Sequence, residues 1–488
     1  NALRYGAVRQ VPAGPGLVDL LVDVQWDGSW RNPHNWDAAW TFVKFRAPDG
    51  RWKHASLAPQ GHALSPQAGA APTPVGAWTW APDSTGLWLH RAAASSPGPN
   101  RWTARLRWAA GADGAAAGAE VRVLGLEMVY VPAGAFYAGD GVSVGAFEGV
   151  GGEPVRIDST GTVVQRGDFE ETTDGYHMDD ILGGEGVYVD GDGGINTAGA
   201  AARIDNAGYP TGYEAFYVGK YELTQGQYAT FLTLLTPEQR AVRSIYTDRR
   251  YNDYRGSIVE DGDLVVARAP DRACNFLNWA DGAAYLDWAG LRPMTELEYE
   301  KAARGDQPPV PGEYAWGTPR IQKASQILGE DGSLAEQEDG EEGVNGNATY
   351  GVITFMGGEG GGGPLRVGVF ARNGGGDREA SGASYYGVME LSGSLFDTLV
   401  SMGSSKGRQF QGSHGDGEVD PILATATNPD WPDPATAEGS GSRGGNFGFS
   451  FQNLYVSSRL RANYPARNRA FGRGIRAART ATLDQPLP

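Results

Sequence analysis

Residues 273–305 carry the sequence ACNFLNWADGAAYLDWAGLRPMTELEYEKAARG, which predicts two short helices in succession. The first helix has an apolar stripe at helical spacing, formed by Trp279, Ala283 and Leu286. It is expected to end at Gly290, because glycine takes the left-handed conformation after a helix without strain. The second helix is expected to begin at the capping box TELE, in which Thr295 and Glu298 each satisfy a backbone N–H group.

The chain on both sides of this stretch predicts few further helices. Upstream, the sequence TQGQ places another capping box at Thr224 and Gln227. Elsewhere, short strands alternate with loops rich in glycine, which makes up 73 of the 488 residues. We therefore expect an α+β domain over residues 126–479, followed by a tail over residues 480–488. Its longest loops are interpreted as inserts, at about residues 140–212, 305–385 and 403–440.

The first 125 residues predict an all-β architecture instead. Ten of the 14 tryptophans precede residue 110. They lie in short alternating runs such as LVDLLVDVQW (residues 17–26), which are separated by turn signals such as PDG (residues 48–50). We interpret residues 1–125 as a β-sandwich-like domain whose core holds most of the tryptophans. An aromatic-lined sugar groove is the alternative.

Charge is distributed unevenly along the chain, whose formal net charge is −17. Residues 443–479 contain eight arginines and no lysine or acidic residue, so the rest of the chain carries −25. A protein this acidic is not expected to coat nucleic acid with its surface. No uninterrupted apolar run approaches the length of a membrane helix. We therefore expect neither nucleic acid as a partner nor insertion into a membrane.

The arginine-rich segment also carries aromatic residues that follow neither a helical nor a strand period. Aromatic residues with arginine, and without lysine or acids, are typical of interface cores and hot spots. We predict a ligand-binding face for a surface protein or a glycan, with arginine favouring an acidic or anionic partner. In the alternative, the rings fill the core and the arginines are solvated. The predicted contact residues are Phe449, Phe451, Leu454, Tyr455, Leu460, Arg461, Tyr464, Arg467, Arg469, Phe471 and Arg473.

Seven ordered blocks of the chain support a resemblance to a known family. They are MVYVPAGAFYAG (residues 128–139), FYVGKYELTQGQYATF (216–231), the stretch 273–305, YAWG (314–317), YGVMELSGSLFDT (386–398), RGGNF (443–447) and GIRAAR (474–479). This series resembles the formylglycine-generating-enzyme (sulfatase-modifying factor) family. The resemblance implies a C-type-lectin-like fold for the domain that follows the sandwich, and it says nothing about residues 1–125.

The resemblance also implies what an active member of that family needs. Its oxidases use a pair of cysteines near the C-terminal end to bind copper and activate oxygen, and thiolate is a ligand that Cu(I) prefers. This chain has one cysteine, Cys274, which lies outside that region. We therefore expect a ligand-binding protein that is not an enzyme and needs no cofactor. An oxidase of the formylglycine-generating type is the alternative.

The last block is also similar to the variable region of diversity-generating retroelement proteins, which use the same fold to bind ligands or receptors. Residues 443–479 open with RGG, close with GIR, and mix asparagine with aromatic residues, serine and arginine. The resemblance implies a hypervariable face displayed on a cell surface, outside the cell or on a phage virion. Ile475 departs from the pattern, because that family usually has phenylalanine there. Unmutated template positions would be Asn446, Asn453, Asn463 and Asn468.

Calcium is the metal that the sequence leaves open. Clustered carboxylates occur in DGDG (residues 190–193) and DGEVD (residues 416–420), but neither has the spacing of an EF-hand. Relatives can bind calcium around a GNVWEW motif. The matching residues 393–398 read GSLFDT, with Ser394 in place of the asparagine. A calcium-dependent carbohydrate-binding lectin is therefore a further alternative.

Overall fold

The computed structural model describes residues 3–147, 153–158, 164–165, 202–203, 206–340, 346–351, 354–358, 361–372 and 376–481. Within these residues the protein is mostly β, with 24 strands and five α-helices. The helices are α1 (Gln225–Leu234), α2 (Pro237–Arg243), α3 (Trp279–Trp288), α4 (Glu296–Arg304) and α5 (Arg378–Ser381). This confirms the expected α+β composition with few helices. No helix of the described ranges is both long and apolar enough to cross a membrane.

Two large sheets contain the strands of the first part of the chain, and the larger sheet also includes three strands from later in the chain. The five-stranded sheet contains β1 (Arg4–Tyr5), β2 (Arg9–Gly14), β3 (Leu17–Arg31), β6 (Ala63–Pro66) and β9 (Ser95–Trp108). The eight-stranded sheet contains β4 (Asp37–Arg46), β5 (Trp52–His54), β7 (Gly76–Trp80), β8 (Leu87–Arg91), β10 (Val121–Val131), β15 (Phe216–Gly219), β18 (Arg292–Pro293) and β24 (Ala477–Thr480). Side chains from both sheets form one apolar core, so the expected β-sandwich is present.

The eight-stranded sheet has the strand order β18-β24-β15-β10-β4-β8-β7, with β5 beside β4. Its interior strand β4 is buried on both faces. Ala39 and Val43 belong to the sandwich core, whereas the alternate residues Trp40 and Phe42 belong to a second core that also contains residues of α1 and α3. Because successive side chains of a strand point to opposite faces, the mostly apolar sequence of β4 serves both cores.

Strand β10 connects the two regions that the sequence separates. Its residues from Val121 to Val129 pair with β4, and those from Met128 to Val131 pair with β15. The boundary placed between residues 125 and 126 therefore falls inside one strand. The sandwich and the domain that follows it share a single sheet.

The tryptophans of the first 110 residues mainly fill cores. Six of the ten are buried: Trp26, Trp36, Trp40, Trp88, Trp102 and Trp108. For these six, the interpretation as core residues is confirmed, since a buried ring has no face left for a sugar.

Local signals set the helix ends as predicted. The Thr224 side chain accepts from the N–H of Gln227 at the start of α1, and Thr295 accepts from the N–H of Glu298 at the start of α4. Gly290 follows α3 with a φ of +68°, the left-handed value expected for it. Two further capping boxes were not predicted from the sequence: Asn278 with Asp281 starts α3, and Thr236 with Gln239 starts α2.

Small sheets organise the rest of the chain. The three-stranded sheet holds β21 (Phe396–Val400), β22 (Ser440–Arg443) and β23 (Arg473–Ile475), in the order β22-β21-β23. Four two-stranded sheets pair β11 (Phe136–Ala138) with β12 (Val155–Ile157), β13 (Val164–Gln165) with β14 (Ala202–Arg203), β16 (Ile258–Asp261) with β17 (Leu264–Ala267), and β19 (Ala324–Leu328) with β20 (Gln337–Gly340). Most of the predicted insert 140–212 lies outside the described residues.

Candidate functional site

The arginine-rich segment begins in β22, ends in β24 and forms a long loop between β22 and β23. Two glycines turn the chain out of β22: Gly444 and Gly445 have φ values of +85° and +70°. A Cβ atom at Gly444 would lie 2.6 Å from the carbonyl oxygen of Leu391. Both glycines are therefore required for the turn that follows β22.

A buried network of ion pairs holds the loop to helix α4. Arg443 donates to Glu296 at 2.9 Å and to Glu300 at 2.6 Å. Arg459, inside the loop, donates to Glu296 at 2.7 Å. All four side chains are fully buried. Burial raises the pKa of Glu296, but the guanidinium groups of Arg459 and Arg443 more than offset this, so its pKa lies below the usual value.

Most of the arginine charge in the segment is neutralised internally. Five of its eight arginines form ion pairs with carboxylates: Arg443, Arg459, Arg469, Arg476 and Arg479. The formal charge of +8 is therefore not a surface charge. Arg469 was predicted to contact a ligand. Instead it donates to Asp281 at 2.7 Å and to the backbone oxygen of Ser244 at 2.7 Å, so its role is to hold the loop.

Three of the predicted aromatic and apolar contact residues belong to the interior. Leu454 is 0% exposed and packs with Tyr314 and Trp316, and Phe449 is 8% exposed. Phe471 is half-buried, and its ring stacks on that of Tyr254 at a centroid distance of 4.6 Å. For Leu454 the prediction of direct ligand contact is corrected, because burial leaves it no surface to offer. The Phe449 ring packs edge-on against that of Phe396, with ring centroids 5.1 Å apart.

Six of the seven remaining predicted residues reach solvent and lie on one stretch of loop. Phe451 is 41% exposed, Arg467 is exposed, and the others are half-buried. Phe451 contacts Tyr455, with ring centroids 6.3 Å apart. We name this set the C-terminal face: Phe451, Tyr455, Leu460, Arg461, Tyr464 and Arg467.

Arg473 lies beneath the C-terminal face. Its guanidinium group is 5.3 Å from the centroid of the Tyr464 ring and donates to the backbone oxygen of Asn468 at 2.8 Å. Only 9% of the residue is exposed. Burial lowers the pKa of Arg473, and the nearby charge of Arg461 lowers it further, although Tyr464 opposes the shift. Arg473 thus lies against the Tyr464 ring and near a second guanidinium group, that of Arg461.

A group of buried carboxylates was missed by the sequence analysis. Glu222 accepts from the Ser394 hydroxyl at 2.7 Å, and Asp397 pairs with Arg476 at 3.1 Å. Burial and the nearby Asp397 raise the pKa of Glu222, whereas Arg476 opposes the shift. The only signal in the sequence was an acidic residue in each of two family-like blocks.

Of the three segments considered for calcium binding, the structure describes residues 393–398 and 416–420. Ser394, in the segment that resembles the calcium motif, is engaged with Glu222. Residues 190–193 lie outside the described residues. Among the residues that the structure describes, no group of three or more His, Cys, Asp or Glu side chains is arranged to hold a metal ion.

Comparison with known proteins agrees with the family-like blocks. Residues 187–481, more than half of the chain, match the family described as the sulfatase-modifying factor enzyme 1-like domain. Over 88 residues, the chain is 36% identical to a Thermomonospora curvata protein named formylglycine-generating enzyme. That match covers 17% of this chain and 27% of the relative, so the chain spans about a quarter of the relative's length.

These matches confirm the resemblance to the formylglycine-generating-enzyme family and correct one expectation. The chain was expected not to be an enzyme, because it has no cysteine pair near its C-terminal end. The matched family and the matched relative both carry the names of enzymes. They point to an enzyme family, so that expectation is wrong.

Proposed function

Because this chain belongs to the sulfatase-modifying factor enzyme 1-like family, we propose that its family domain has a C-type-lectin-like fold and binds its ligand at the C-terminal face. The observation that carries the proposal is the contrast between a rigid interior and an accessible surface. Arg443 and Arg459 hold the loop through fully buried ion pairs, while Phe451 and Arg467 are exposed on the same loop.

This arrangement suits recognition of a protein or glycan surface. Phenylalanine and tyrosine offer large contact areas with few rotatable bonds, and arginine adds forked hydrogen bonds. The buried ion pairs hold the backbone, so little conformational entropy is lost when a ligand binds. The acidic remainder of the chain opposes nucleic acid as the partner.

We further propose that the surface positions of the segment are diversified by a retroelement and displayed on a cell surface or a virion. Substitutions at exposed positions such as Phe451 and Arg467 usually change stability little, which makes variation tolerable there. The test is genetic. A near-copy of the coding sequence for residues 443–479, which differs only at adenines and lies beside a reverse transcriptase gene, supports the proposal. A source genome without such a copy refutes it.

Ligand binding is tested by screening the full chain on arrays of cell-surface proteins and glycans. Tyr464→Ala and Arg467→Ala are expected to lose captured ligands, because both side chains belong to the C-terminal face. Arg320→Ala is the matched control, since Arg320 is an exposed arginine paired with Glu379 elsewhere on the chain. The proposal is contradicted if all three variants lose captured ligands equally, or if no variant loses any. Capture that disappears with a chelator supports a calcium-dependent lectin instead.

Formylglycine generation is the second candidate, favoured by the name of the matched relative. The residues present do not fit the two-cysteine copper site that the family resemblance implies. Cys274 is the single cysteine of the chain, it is 0% exposed, and burial raises its pKa well above the usual value. No oxidation step through copper is therefore derived.

A direct assay separates the two candidates. The full chain is incubated with copper and peptides that contain cysteine or serine, and aldehyde products are detected with a hydrazide probe. Copper-dependent aldehyde formation that is lost in Cys274→Ser favours the second candidate. Ligand capture that needs no copper and tolerates Cys274→Ser favours the first.

A further inference from the structure

Arg473, beneath the C-terminal face, forms a compact cluster with two members of that face, Arg461 and Tyr464. The guanidinium group of Arg461 lies 5.5 Å from the centroid of the Tyr464 ring, and that of Arg473 lies 5.3 Å from it. Arg461 also lies 5.6 Å from the centroid of the Phe449 ring. At these distances the ring faces attract the guanidinium groups, so the rings help to position both arginines.

Backbone hydrogen bonds fix this cluster to the three-stranded sheet. Arg473 is the first residue of β23 and pairs with Phe396 of β21. The backbone oxygen of Arg461 accepts from the N–H of Ser442 in β22 at 2.9 Å. Both arginines are therefore anchored to the same sheet before any ligand arrives, which reduces the entropy lost on binding.

Arg473 differs from the arginines that support the fold. Five arginines of the segment have carboxylate partners, whereas Arg473 makes no ion pair within the described ranges. It is nevertheless only 9% exposed, and burial lowers its pKa. A charge withdrawn from water without a counter-charge is unfavourable, and an anion placed beside it would relieve that cost.

We infer that Arg461, Tyr464 and Arg473 form a subsite for a single carboxylate group of a protein ligand. This inference rests on the proposed function, because it assigns a chemical class to the ligand of the C-terminal face. A guanidinium group offers forked N–H donors that match the two oxygens of a carboxylate. The rest of the chain carries a charge of −25, which would repel a long polyanion. A single carboxylate is affected mainly by charges within about 10 Å, because salt screens the more distant ones.

Acetate is the probe for the subsite. The melting temperature of the full chain is measured at pH 7.5 while sodium acetate replaces sodium chloride at constant ionic strength. We expect a saturable rise in melting temperature for the unmodified protein, because a ligand that binds only the folded state stabilises it. Arg473→Gln is expected to weaken the apparent acetate affinity about tenfold or more, since one charged donor group is lost.

Two further variants keep the test decisive. Arg320→Gln removes an exposed arginine elsewhere and is expected to leave the acetate response unchanged. Arg473→Lys keeps the charge but loses the forked donors of the guanidinium group, so its acetate affinity is expected to be weaker than that of the unmodified protein but measurable. It serves as the test variant if Arg473→Gln fails to fold. An acetate response that is absent in the unmodified protein, or equal in Arg473→Gln and Arg473→Lys, overturns the inference. Stronger stabilisation by heparin than by acetate, lost in Arg473→Gln, also overturns it in favour of a sulfated glycan.

The failure of this inference is distinguishable from the failure of the proposed function. If ligand capture on the arrays depends on Arg467 but acetate does not change the melting temperature, the binding face is retained and the subsite is rejected. The opposite result is an acetate response that depends on Arg473, while the arrays capture no ligand that is lost in Tyr464→Ala and Arg467→Ala. That result retains the subsite and rejects the binding face.

Discussion

Glu296→Gln tests the claim that buried ion pairs hold the binding loop to the fold. Glu296 accepts hydrogen bonds from Arg443 and Arg459 and from the backbone N–H of Met402, and it is fully buried. Glutamine has nearly the same shape, so the substitution creates no cavity. It removes one negative charge beside two buried guanidinium groups. Arg443 keeps Glu300 as a carboxylate partner, which it shares with Arg304.

The magnitude follows from the loss of a buried partner. Removal of one member of a buried ion pair typically lowers the free energy of unfolding by about 3–5 kcal/mol, because the other charge stays buried and uncompensated. We expect a loss in that range at pH 7.5. The pKa of Glu296 in the folded protein lies below its usual value of 4.5, so its contribution is present above about pH 4.5. It is lost as the pH falls through the folded-state pKa.

Urea unfolding followed by tryptophan fluorescence measures the effect. The matched control is Glu379→Gln, which breaks the ion pair between Glu379 and Arg320. The nitrogen–oxygen distance of that pair is 2.6 Å. The Arg320 side chain is 74% exposed, so this variant is expected to lose less than about 1 kcal/mol. The same two variants should also differ in ligand capture, because Arg459 fixes the loop that carries the C-terminal face.

Two results would refute this reasoning. A loss in Glu296→Gln no larger than that in Glu379→Gln would show that the buried pairs add little to stability. A difference between Glu296→Gln and the unmodified protein that grows as the pH is lowered to 4 would contradict the sign derived from the lowered pKa.

Three further predictions follow from burial. Leu454→Ala should lower the free energy of unfolding by about 2–5 kcal/mol in urea titrations, whereas Phe451→Ala should change it by less than about 1 kcal/mol and reduce ligand capture; equal losses would contradict their placement. Burial raises the pKa of Glu390 to about 7, so the stability from its bound proton is full below about pH 4.5 and is lost as the pH rises through about 7. Glu390→Gln should therefore gain stability relative to the unmodified protein over that window, and a constant difference would refute this. Cys274 should resist alkylation in the folded protein and react fully in urea, because its thiol is buried; rapid modification of the folded protein would contradict the structure.

The helices were predictable because their boundaries depend on neighbouring residues. Thr224 with Gln227, and Thr295 with Glu298, form hydrogen bonds across three positions of the chain. Gly290 adopts its left-handed conformation for reasons of local sterics. The tryptophan runs were predictable as strands on the same ground, because alternation along a strand is a local pattern.

The shared sheet was not predictable from such patterns. Strand β4 pairs with β10 across about 80 residues of chain, and its two faces serve two cores. The apolar sequence of β4 indicates burial but does not say what covers each face. For that reason a domain boundary was placed within β10, where the chain in fact continues as one strand.

The composition of residues 443–479 was sufficient to single out a segment rich in aromatic residues and arginine, because composition needs no knowledge of neighbours. Which of these side chains face solvent depends on partners far along the chain: the carboxylate that pairs with Arg443 lies 147 residues away, in α4. Folding brings these charges together and places five of the eight arginines in ion pairs, four of them buried, while Phe451 and Arg467 stay exposed. Local order thus follows from adjacent residues, whereas the make-up of the binding face follows from contacts that exist only in the folded chain.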